Sequence, residues 1–162
     1  MSPRLGRDRA GTEKQGVPAA PGVLVLPTVI THTPVFVIDL DDALTFYTDR
    51  LGFEVRVDVS ARPAMRWLTV AAPGSDHELL LAAVDQHFPP VDQDAMRELV
   101  AKGDLAVFCQ VDEVDEVFES LRAVGAEILQ EPIDQPYGIR DCSVRDPRGN
   151  QVRLSQPLPS QP

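Results

Sequence analysis

The side chain with the clearest capacity for ligand chemistry is that of Arg153. It lies in residues 151–154, where polar and apolar side chains alternate as they do in a half-buried strand. A guanidinium on such a strand could hold a carboxylate, phosphate or enolate oxygen through two parallel hydrogen bonds. The alternative is an arginine at the edge of a sheet, paired with a surface acid, and the sequence leaves both open.

Side chains on two other predicted strands could line the same small-molecule pocket. Glu78 and Leu80 share one strand face because they are two residues apart. Phe108 shares a face with Ala106 and Gln110 on another strand. An apolar floor with a few polar groups is how small-molecule pockets are built.

Four further residues each have a functional and a structural interpretation. His32 could be a general base or a strand-end histidine without a role. Trp67 could stack on an aromatic ligand or belong to the core. Tyr137 and Arg140 flank a predicted hairpin, where either role is open. The candidate catalytic residues are therefore His32 and Glu78, and the candidate ligand-binding residues are His32, Trp67, Glu78, Leu80, Phe108, Tyr137, Arg140 and Arg153.

Residues 29–84 contain the elements that would position the first of these side chains. A β-branched apolar run predicts a strand over residues 33–38. Asp39 and the acidic residues after it suit the start of a helix, and Gly52 suits its end. Further strands are predicted over residues 53–59, 65–71 and 78–82. The predicted order is β-α-β-β-β.

The same order returns in residues 103–156. A loop over residues 84–91 and a linker helix near 92–102 are predicted to join the two modules. A helix over residues 112–124 should end at Gly125. Strands are predicted over residues 105–111 and 127–130, followed by a loop over 131–136. A closing hairpin then turns at residues 146–150 (DPRGN), which have turn chemistry at every position.

The two modules superpose when their sequence numbers are shifted by one constant offset. Asp39 then pairs with Asp112 (112 − 39 = 73), and Leu80 pairs with Arg153 (153 − 80 = 73). A fixed offset indicates duplication of one module. Each unit is too small to bury its sheet alone. We therefore expect an α+β fold in which two βαβββ modules curl a mixed sheet around a cleft, with helices outside.

Length and charge limit the classes of function. The chain has 162 residues and a net charge of −10, which suits one domain that repels nucleic acid and anionic membranes. We expect a flexible leader over residues 1–28 and a flexible tail over 157–162. No apolar run approaches the roughly 20 residues of a bilayer span, and a cytoplasmic location is predicted. Cys109 and Cys142 match no zinc or redox spacing and are predicted to be buried free thiols.

These patterns resemble the vicinal oxygen chelate superfamily, which includes glyoxalase I, extradiol dioxygenases and bleomycin-resistance proteins. The resemblance covers about residues 29–156. Its motifs are His32-Thr33 followed by Asp39-Leu40, residues 43–47 (ALTFY) with 51–53 (LGF), Val111-Asp112 with Gly125, Tyr137-Gly138, and residues 146–150. The resemblance implies a glyoxalase-like fold, a bacterial protein and a homodimer.

The resemblance also implies where a divalent metal would bind. The glyoxalase I pattern takes a His and a Glu from the first and fourth strands of one module, and two similar ligands from the other. The matching positions are His32, Leu80, Leu105 or Ala106, and Arg153. Leucine has no donor atom, and arginine does not deprotonate to bind a metal. We therefore predict no cofactor, although a displaced site using Glu78 or Asp104 stays open.

Two functions follow from these expectations, and whether the protein is an enzyme stays open. The favoured one is a protein that binds a small organic ligand, anionic or aromatic, in its cleft without the usual metal. The alternative is a metal-dependent lyase, isomerase or extradiol dioxygenase with a displaced site around His32. A module that binds another protein has no specific support.

Overall fold

The computed structural model describes residues 29–159, so the predicted leader and the last three residues of the predicted tail lie outside the described part. The first module contains β1 (His32–Val37), α1 (Leu40–Thr45) continued by a π-helical turn (Phe46–Arg50), β2 (Glu54–Arg62), β3 (Met65–Ala71) and β4 (Glu78–Ala83). Helices α2 (Val84–His87) and α3 (Pro90–Lys102) connect it to the second module. That module contains β5 (Ala106–Gln110), α4 (Val114–Ala123), β6 (Glu127–Asp134), β7 (Ile139–Arg145) and β8 (Gln151–Pro157).

Each module forms its own mixed four-stranded sheet. The strand orders are β1-β4-β3-β2 and β5-β8-β7-β6. Strand β1 pairs in parallel with β4, as β5 does with β8, and the other pairs are antiparallel. Within residues 29–159 the two sheets are not hydrogen-bonded to each other. The predicted α+β class with two βαβββ modules is confirmed, with two separate sheets in place of one continuous sheet.

Helix α1 begins where the acidic residues indicated. The Asp39 carboxylate accepts hydrogen bonds from the backbone N–H groups of Asp41 and Asp42, both at 2.9 Å. These bonds satisfy donors that lack partners at a helix start, and the carboxylate suits the helix dipole there. The helix then buries Leu40 and Ala43.

One side of each sheet contributes to a single apolar core. Helix α1, the π-helical turn and helix α4 add residues to the same core, among them Phe46, Tyr47 and Phe118. The sheet residues in it recur every second position: Val35 and Val37, Leu68 and Val70, Cys142 and Val144, and Val152 and Leu154. Because side chains alternate across a strand, the residues between them lie on the other side of each sheet.

Two predicted loops are partly regular structure. The predicted loop over residues 84–91 contains α2 and the start of α3, and Pro90 fits the first position of α3 because the missing N–H has no helical partner there. The predicted loop over residues 131–136 continues β6 to Asp134. Pro132 is tolerated there because β6 is an edge strand.

The offset between the modules is not constant, which corrects the sequence prediction. His32 pairs with Glu78, and its counterpart Ala106 pairs with Gln151. The first strands therefore differ by an offset of 74 (106 − 32 = 74), while the last strands keep an offset of 73 (151 − 78 = 73). The π-helical turn supplies the extra residue in the first module. The Phe53 N–H donates to the Tyr47 carbonyl six positions back, whereas the Ala126 N–H donates to the Leu121 carbonyl five positions back.

A similar shift affects the third strands. Thr69 pairs with Leu80 in the first sheet, and Ser143 pairs with Arg153 in the second. Thr69 and Ser143 are thus equivalent at an offset of 74 (143 − 69 = 74), as are their strand neighbours Trp67 and Asp141. A shift by one position moves a side chain to the opposite face of a sheet, so this correction decides which residues face the candidate site.

The turn before β8 joins the two modules. The Asn150 side-chain amide donates to the Phe36 carbonyl of β1 at 2.9 Å and to the Asp146 carboxylate at 2.8 Å. Arg148 Nε donates to Asp42 at 2.9 Å. The second module is therefore held against β1 and α1 of the first.

Among residues 29–159, no helix is both long enough and apolar enough to cross a bilayer.

Candidate functional site

Each sheet has a face that points away from the apolar core, and we call these the open faces. Strand alternation assigns their central residues. The first open face contains His32, Pro34, Phe36, Trp67, Thr69, Glu78 and Leu80. The second open face contains Ala106, Phe108, Gln110, Asp141, Ser143, Gln151 and Arg153.

Three predicted site residues meet on the first open face. His32 and Glu78 are directly opposite on β1 and β4, with His32 Nε2 and Glu78 Oε2 3.4 Å apart. The Trp67 ring lies edge-on to His32, with ring centroids separated by 6.0 Å. Glu78 Oε2 is buried and has no hydrogen-bond partner within the described chain. The site thus offers an aromatic surface beside two ionisable groups.

Leu80 lies next to this group and is 8% exposed. It pairs across the sheet with Thr69, which is fully buried. Phe36 on β1 is covered by Phe88, with ring centroids 4.9 Å apart. Apart from the Thr69 hydroxyl, this part of the first open face is therefore apolar.

Arg153 lies on the second open face in a polar cluster. Its Nε is 3.2 Å from Asp141 Oδ2, and its Nη2 donates to Gln130 Oε1 at 3.2 Å. Asp141 is fully buried, and its Oδ1 accepts hydrogen bonds from the side chains of Gln130 and Gln135, both at 2.8 Å. Strand β8 lies between β5 and β7. Arg153 is therefore at an internal strand position and is paired with a buried acid.

The remaining predicted residues lie apart from these groups. Phe108 is 73% exposed on β5, and Tyr137 is 64% exposed in the turn between β6 and β7. Arg140 follows Ile139 and precedes Asp141, so it points to the helix side of β7. There it donates to Asp115 and Asp134, each at 2.8 Å. The structure does not bring Tyr137 or Arg140 to the polar groups of the open faces.

Two adjoining grooves run between the modules. One of about 770 Å³ extends along the π-helical turn, the loop before β4, β5 and α4. The other, of about 440 Å³, lies between the edges of β1 and β5. Of the predicted site residues, Phe108 lines both. Cys109 lines the larger groove, and burial raises the pKa of its thiol to about 11, which leaves it protonated and weakly reactive.

His77 lies where the two grooves meet. Its Nε2 is 2.9 Å from Thr33 Oγ1, and its Nδ1 is 3.2 Å from the Ile30 carbonyl. Because the carbonyl can only accept, the hydrogen bond to it is donated by Nδ1. These hydrogen bonds hold the His77 ring beside the start of β1.

The architecture and the sequence both match a known family. The model of the Glyoxalase/Bleomycin resistance protein/Dioxygenase superfamily matches residues 29–154. The chain belongs to this superfamily. The resemblance drawn from the sequence motifs is thereby confirmed.

Several known proteins are similar to this chain over most of their own length. UcmS2 is 33% identical with a TM-score of 0.74, over 80% of this chain and 98% of UcmS2. TnmS3, an antibiotic binding protein from Streptomyces sp. CB03234, is 28% identical with a TM-score of 0.66, over 83% of this chain and 99% of TnmS3. The uncharacterized protein YurT of Bacillus subtilis (strain 168) is 31% identical over 64% of this chain and 80% of YurT.

The glyoxalase I pattern of four metal ligands is incomplete in this chain. His32 fills its first position, but Leu80, Ala106 and Arg153 stand at the other three, and none of these side chains can bind a metal. Glu78, which pairs with His32 across the sheet, is the one displaced donor beside it among residues 29–159. Within residues 29–159 no group of three or more His, Cys, Asp or Glu side chains is placed to hold a metal ion. The described residues therefore do not fit the full pattern, and metal-free binding stays a prediction.

Sequence reasoning missed the partners of Arg153. Asp141, Ser143 and Gln130 were not predicted as site residues. A signal was present, since residues 141–144 (DCSV) alternate polar and apolar side chains. The offset of 73 concealed this signal, because it makes Asp141 the equivalent of Leu68, which is a core residue (141 − 68 = 73).

Proposed function

We propose that this protein binds a small organic molecule of the aromatic or antibiotic class on its open faces, without a resident metal. The observation that carries the proposal is the grouping of Trp67, His32 and Glu78 outside the apolar core. An aromatic ring beside a few polar groups suits a ligand that is mostly apolar. The likeness to an antibiotic binding protein supports the same class of ligand.

Phe108 supports a proposed homodimer. Its side chain is 73% exposed on β5, which lies at an edge of the second sheet. Exposed apolar groups and unpaired strand edges are features that a second subunit can cover. We propose that the protein works as a homodimer in the cytoplasm of a bacterium, and light scattering on the purified protein gives its mass directly.

Fluorescence of Trp67 tests ligand binding, because the chain contains one tryptophan. We expect a panel of aromatic antibiotics to include compounds that change its emission in a saturable way. The same compounds should raise the unfolding temperature, because a ligand that binds only the folded state stabilises it. The variant Trp67→Phe lacks this emission and so shows any fluorescence of the compounds themselves, and it should bind these compounds more weakly in the thermal assay. A panel without any saturable change would contradict the proposal.

One observation favours a metal-dependent enzyme as the second candidate. His32 Nε2 and Glu78 Oε2 are 3.4 Å apart, and imidazole and carboxylate groups are common metal ligands. Metal content measured by mass spectrometry after incubation with Zn²⁺, Ni²⁺, Mn²⁺ or Fe²⁺ separates the two candidates. About one ion per chain that is lost in His32→Ala would support the enzyme, and glyoxalase and ring-cleavage assays would follow. If no ion is retained, the metal-free binding protein is the candidate that remains.

A further inference from the structure

The Arg153–Asp141 pair is unusual because it is partly buried on a sheet face. The Asp141 side chain is fully buried and that of Arg153 is 27% exposed. Removing two charges from water costs free energy that their mutual attraction does not reliably recover. An apolar pair of similar volume often gives equal or greater stability. The pair therefore calls for an explanation other than stability.

The first module shows that the fold does not need this pair. Its equivalents of Asp141 and Arg153 are Trp67 and Leu80, which occupy the same strands and the same face. The equivalent residues Ser143 and Thr69 both carry a hydroxyl group, and both are fully buried. The charged pair is thus an addition of the second module to a position that the first fills with apolar side chains.

The geometry of the pair determines what a ligand would meet. Asp141 Oδ1 accepts hydrogen bonds from Gln130 and Gln135, and Asp141 Oδ2 faces Arg153 Nε. The carboxylate therefore compensates the charge of Arg153 from the buried side of the cluster. The guanidinium has five N–H donors, and its described hydrogen bond is to Gln130. Ser143 lies opposite Arg153 on β7, and its buried hydroxyl has no partner within residues 29–159. A ligand would therefore meet the exposed N–H donors of Arg153, whose positive charge is balanced by the buried Asp141 carboxylate.

We infer that the second open face selects an uncharged hydrogen-bond acceptor, such as an amide or ketone carbonyl, over a carboxylate, and that Asp141 sets this selectivity. A neutral carbonyl accepts from Arg153 and carries only a partial charge, so the field of Asp141 opposes it weakly. A carboxylate is repelled by Asp141 and by the net charge of the chain, which is −10. This inference rests on the proposed function and specifies the class of group recognised at that site.

Two probes of matched shape test the inference by calorimetry. They are 2-naphthamide, which is neutral, and 2-naphthoate, which is anionic. Wild-type protein should bind 2-naphthamide at least about ten-fold more tightly than 2-naphthoate. A ten-fold difference in affinity corresponds to the net contribution of about one hydrogen bond. Asp141→Asn leaves the Arg153 charge uncompensated at nearly constant volume. This variant should gain affinity for 2-naphthoate by about ten-fold and reverse the preference.

The matched control is Asp134→Asn. It changes the net charge by the same amount, but Asp134 pairs with Arg140 on the other side of the sheet. Its preference should stay that of the wild type. Should Asp141→Asn fail to fold, the salt dependence of wild-type binding replaces it. Affinity for 2-naphthamide should be nearly unchanged when the NaCl concentration rises by about ten-fold, because no net charge is paired.

Four results would overturn the inference: a wild-type preference for 2-naphthoate, an unchanged preference in folded Asp141→Asn, affinity for 2-naphthamide that falls steeply with salt, or no binding of either probe. The antibiotic panel separates these from failure of the proposed function. If antibiotics change Trp67 fluorescence while the naphthyl probes fail, the selectivity is wrong and the binding function stands. If the antibiotics also fail, the binding function is wrong as well.

Discussion

Arg66 and Arg140 occupy equivalent positions in the two modules (140 − 66 = 74), and each links the start of a helix to its own sheet. Arg66 donates to Asp58 of β2 at 2.7 and 2.8 Å and to Asp41 of α1 at 2.6 Å. Arg140 donates to Asp134 of β6 and to Asp115 of α4. The same link between an arginine and two aspartates survives in modules whose open faces differ, which indicates a structural role.

Replacing either arginine should therefore affect stability and not ligand binding. Arg66→Gln should lower the free energy of unfolding by on the order of 1 kcal/mol, since part-exposed ion pairs contribute little. Arg140→Gln should lower it in the same direction. Urea titration measures both effects, with the fluorescence assay of Trp67 run in parallel. Loss of ligand binding by Arg140→Gln at unchanged stability would instead place Arg140 in the site.

Among the glycines of residues 29–159, Gly149 should be the least tolerant of a side chain. A Cβ atom there would overlap the Val100 carbonyl oxygen, which belongs to the backbone of α3. Gly149→Ala must displace α3 or the turn before β8, and we expect a loss of about 3 kcal/mol or more in the free energy of unfolding. Urea titration of the purified variant measures the loss.

Gly74→Ala is the matched control for this substitution. Gly74 has φ of +76°, but a Cβ atom added there would have no other atom within 4 Å. Only backbone strain opposes the change, which should cost about 1 kcal/mol. Equal losses for the two variants would show that α3 does not press on Gly149.

The turn that joins the modules should make stability depend on pH. Burial raises the pKa of the Asp146 carboxyl from 3.8 to about 6, although Asn150 and Gly149 donate hydrogen bonds to it. The folded state then binds this proton more tightly than the unfolded state. Its contribution to stability is fully present below about pH 4 and is lost as the pH rises through about 6, by roughly 3 kcal/mol.

The variant Asp146→Asn lacks this titration. Its deficit in the free energy of unfolding, relative to wild type, should therefore be largest at low pH and shrink as the pH rises. Asp134→Asn, which lies on the surface, provides the comparison for other changes with pH. A deficit that stays constant between about pH 4 and 7 would mean that Asp146 is ionised throughout this range.

The two cysteines should be unreactive in the folded protein. Burial raises the pKa of both the Cys109 and Cys142 thiols to about 11, so the reactive thiolate is scarce at neutral pH. A thiol reagent such as Ellman's reagent should modify both rapidly in denaturant and slowly without it. Rapid reaction of one thiol in native protein would indicate local opening of the larger groove, which Cys109 lines.

The fold was readable from the sequence because its signals are local and repeated. The acidic start of α1 at Asp39 and the helix-ending glycines Gly52 and Gly125 lie where the patterns indicated, and both glycines have positive φ. The alternation of polar and apolar side chains in β4 and β8 likewise gave the correct offset of 73 between these two strands. These signals depend on backbone geometry that each module must satisfy separately.

The candidate site was less readable because it depends on register between modules. Single added residues, in the π-helical turn and again on either side of the third strands, leave no local pattern, and a shift by one position exchanges the faces of a strand. Arg153 was identified by its chemistry, but its partner Asp141 was not, because the constant offset of 73 makes Asp141 equivalent to the core residue Leu68. Charge compensation across neighbouring strands requires the sheet pairing itself.

The π-helical turn at residues 46–50 also bears on how the two halves of this chain could diverge after duplication. A wide helical turn absorbs an added residue locally, since the Leu51 N–H donates to the Phe46 carbonyl five positions back. Neither the buried side of α1 nor the following strand loses its phase. Insertions of this kind let a duplicated ancestor change length in one half while the shared interior is kept. The outward strand positions were then free to acquire an aromatic surface in one half and a compensated charge in the other.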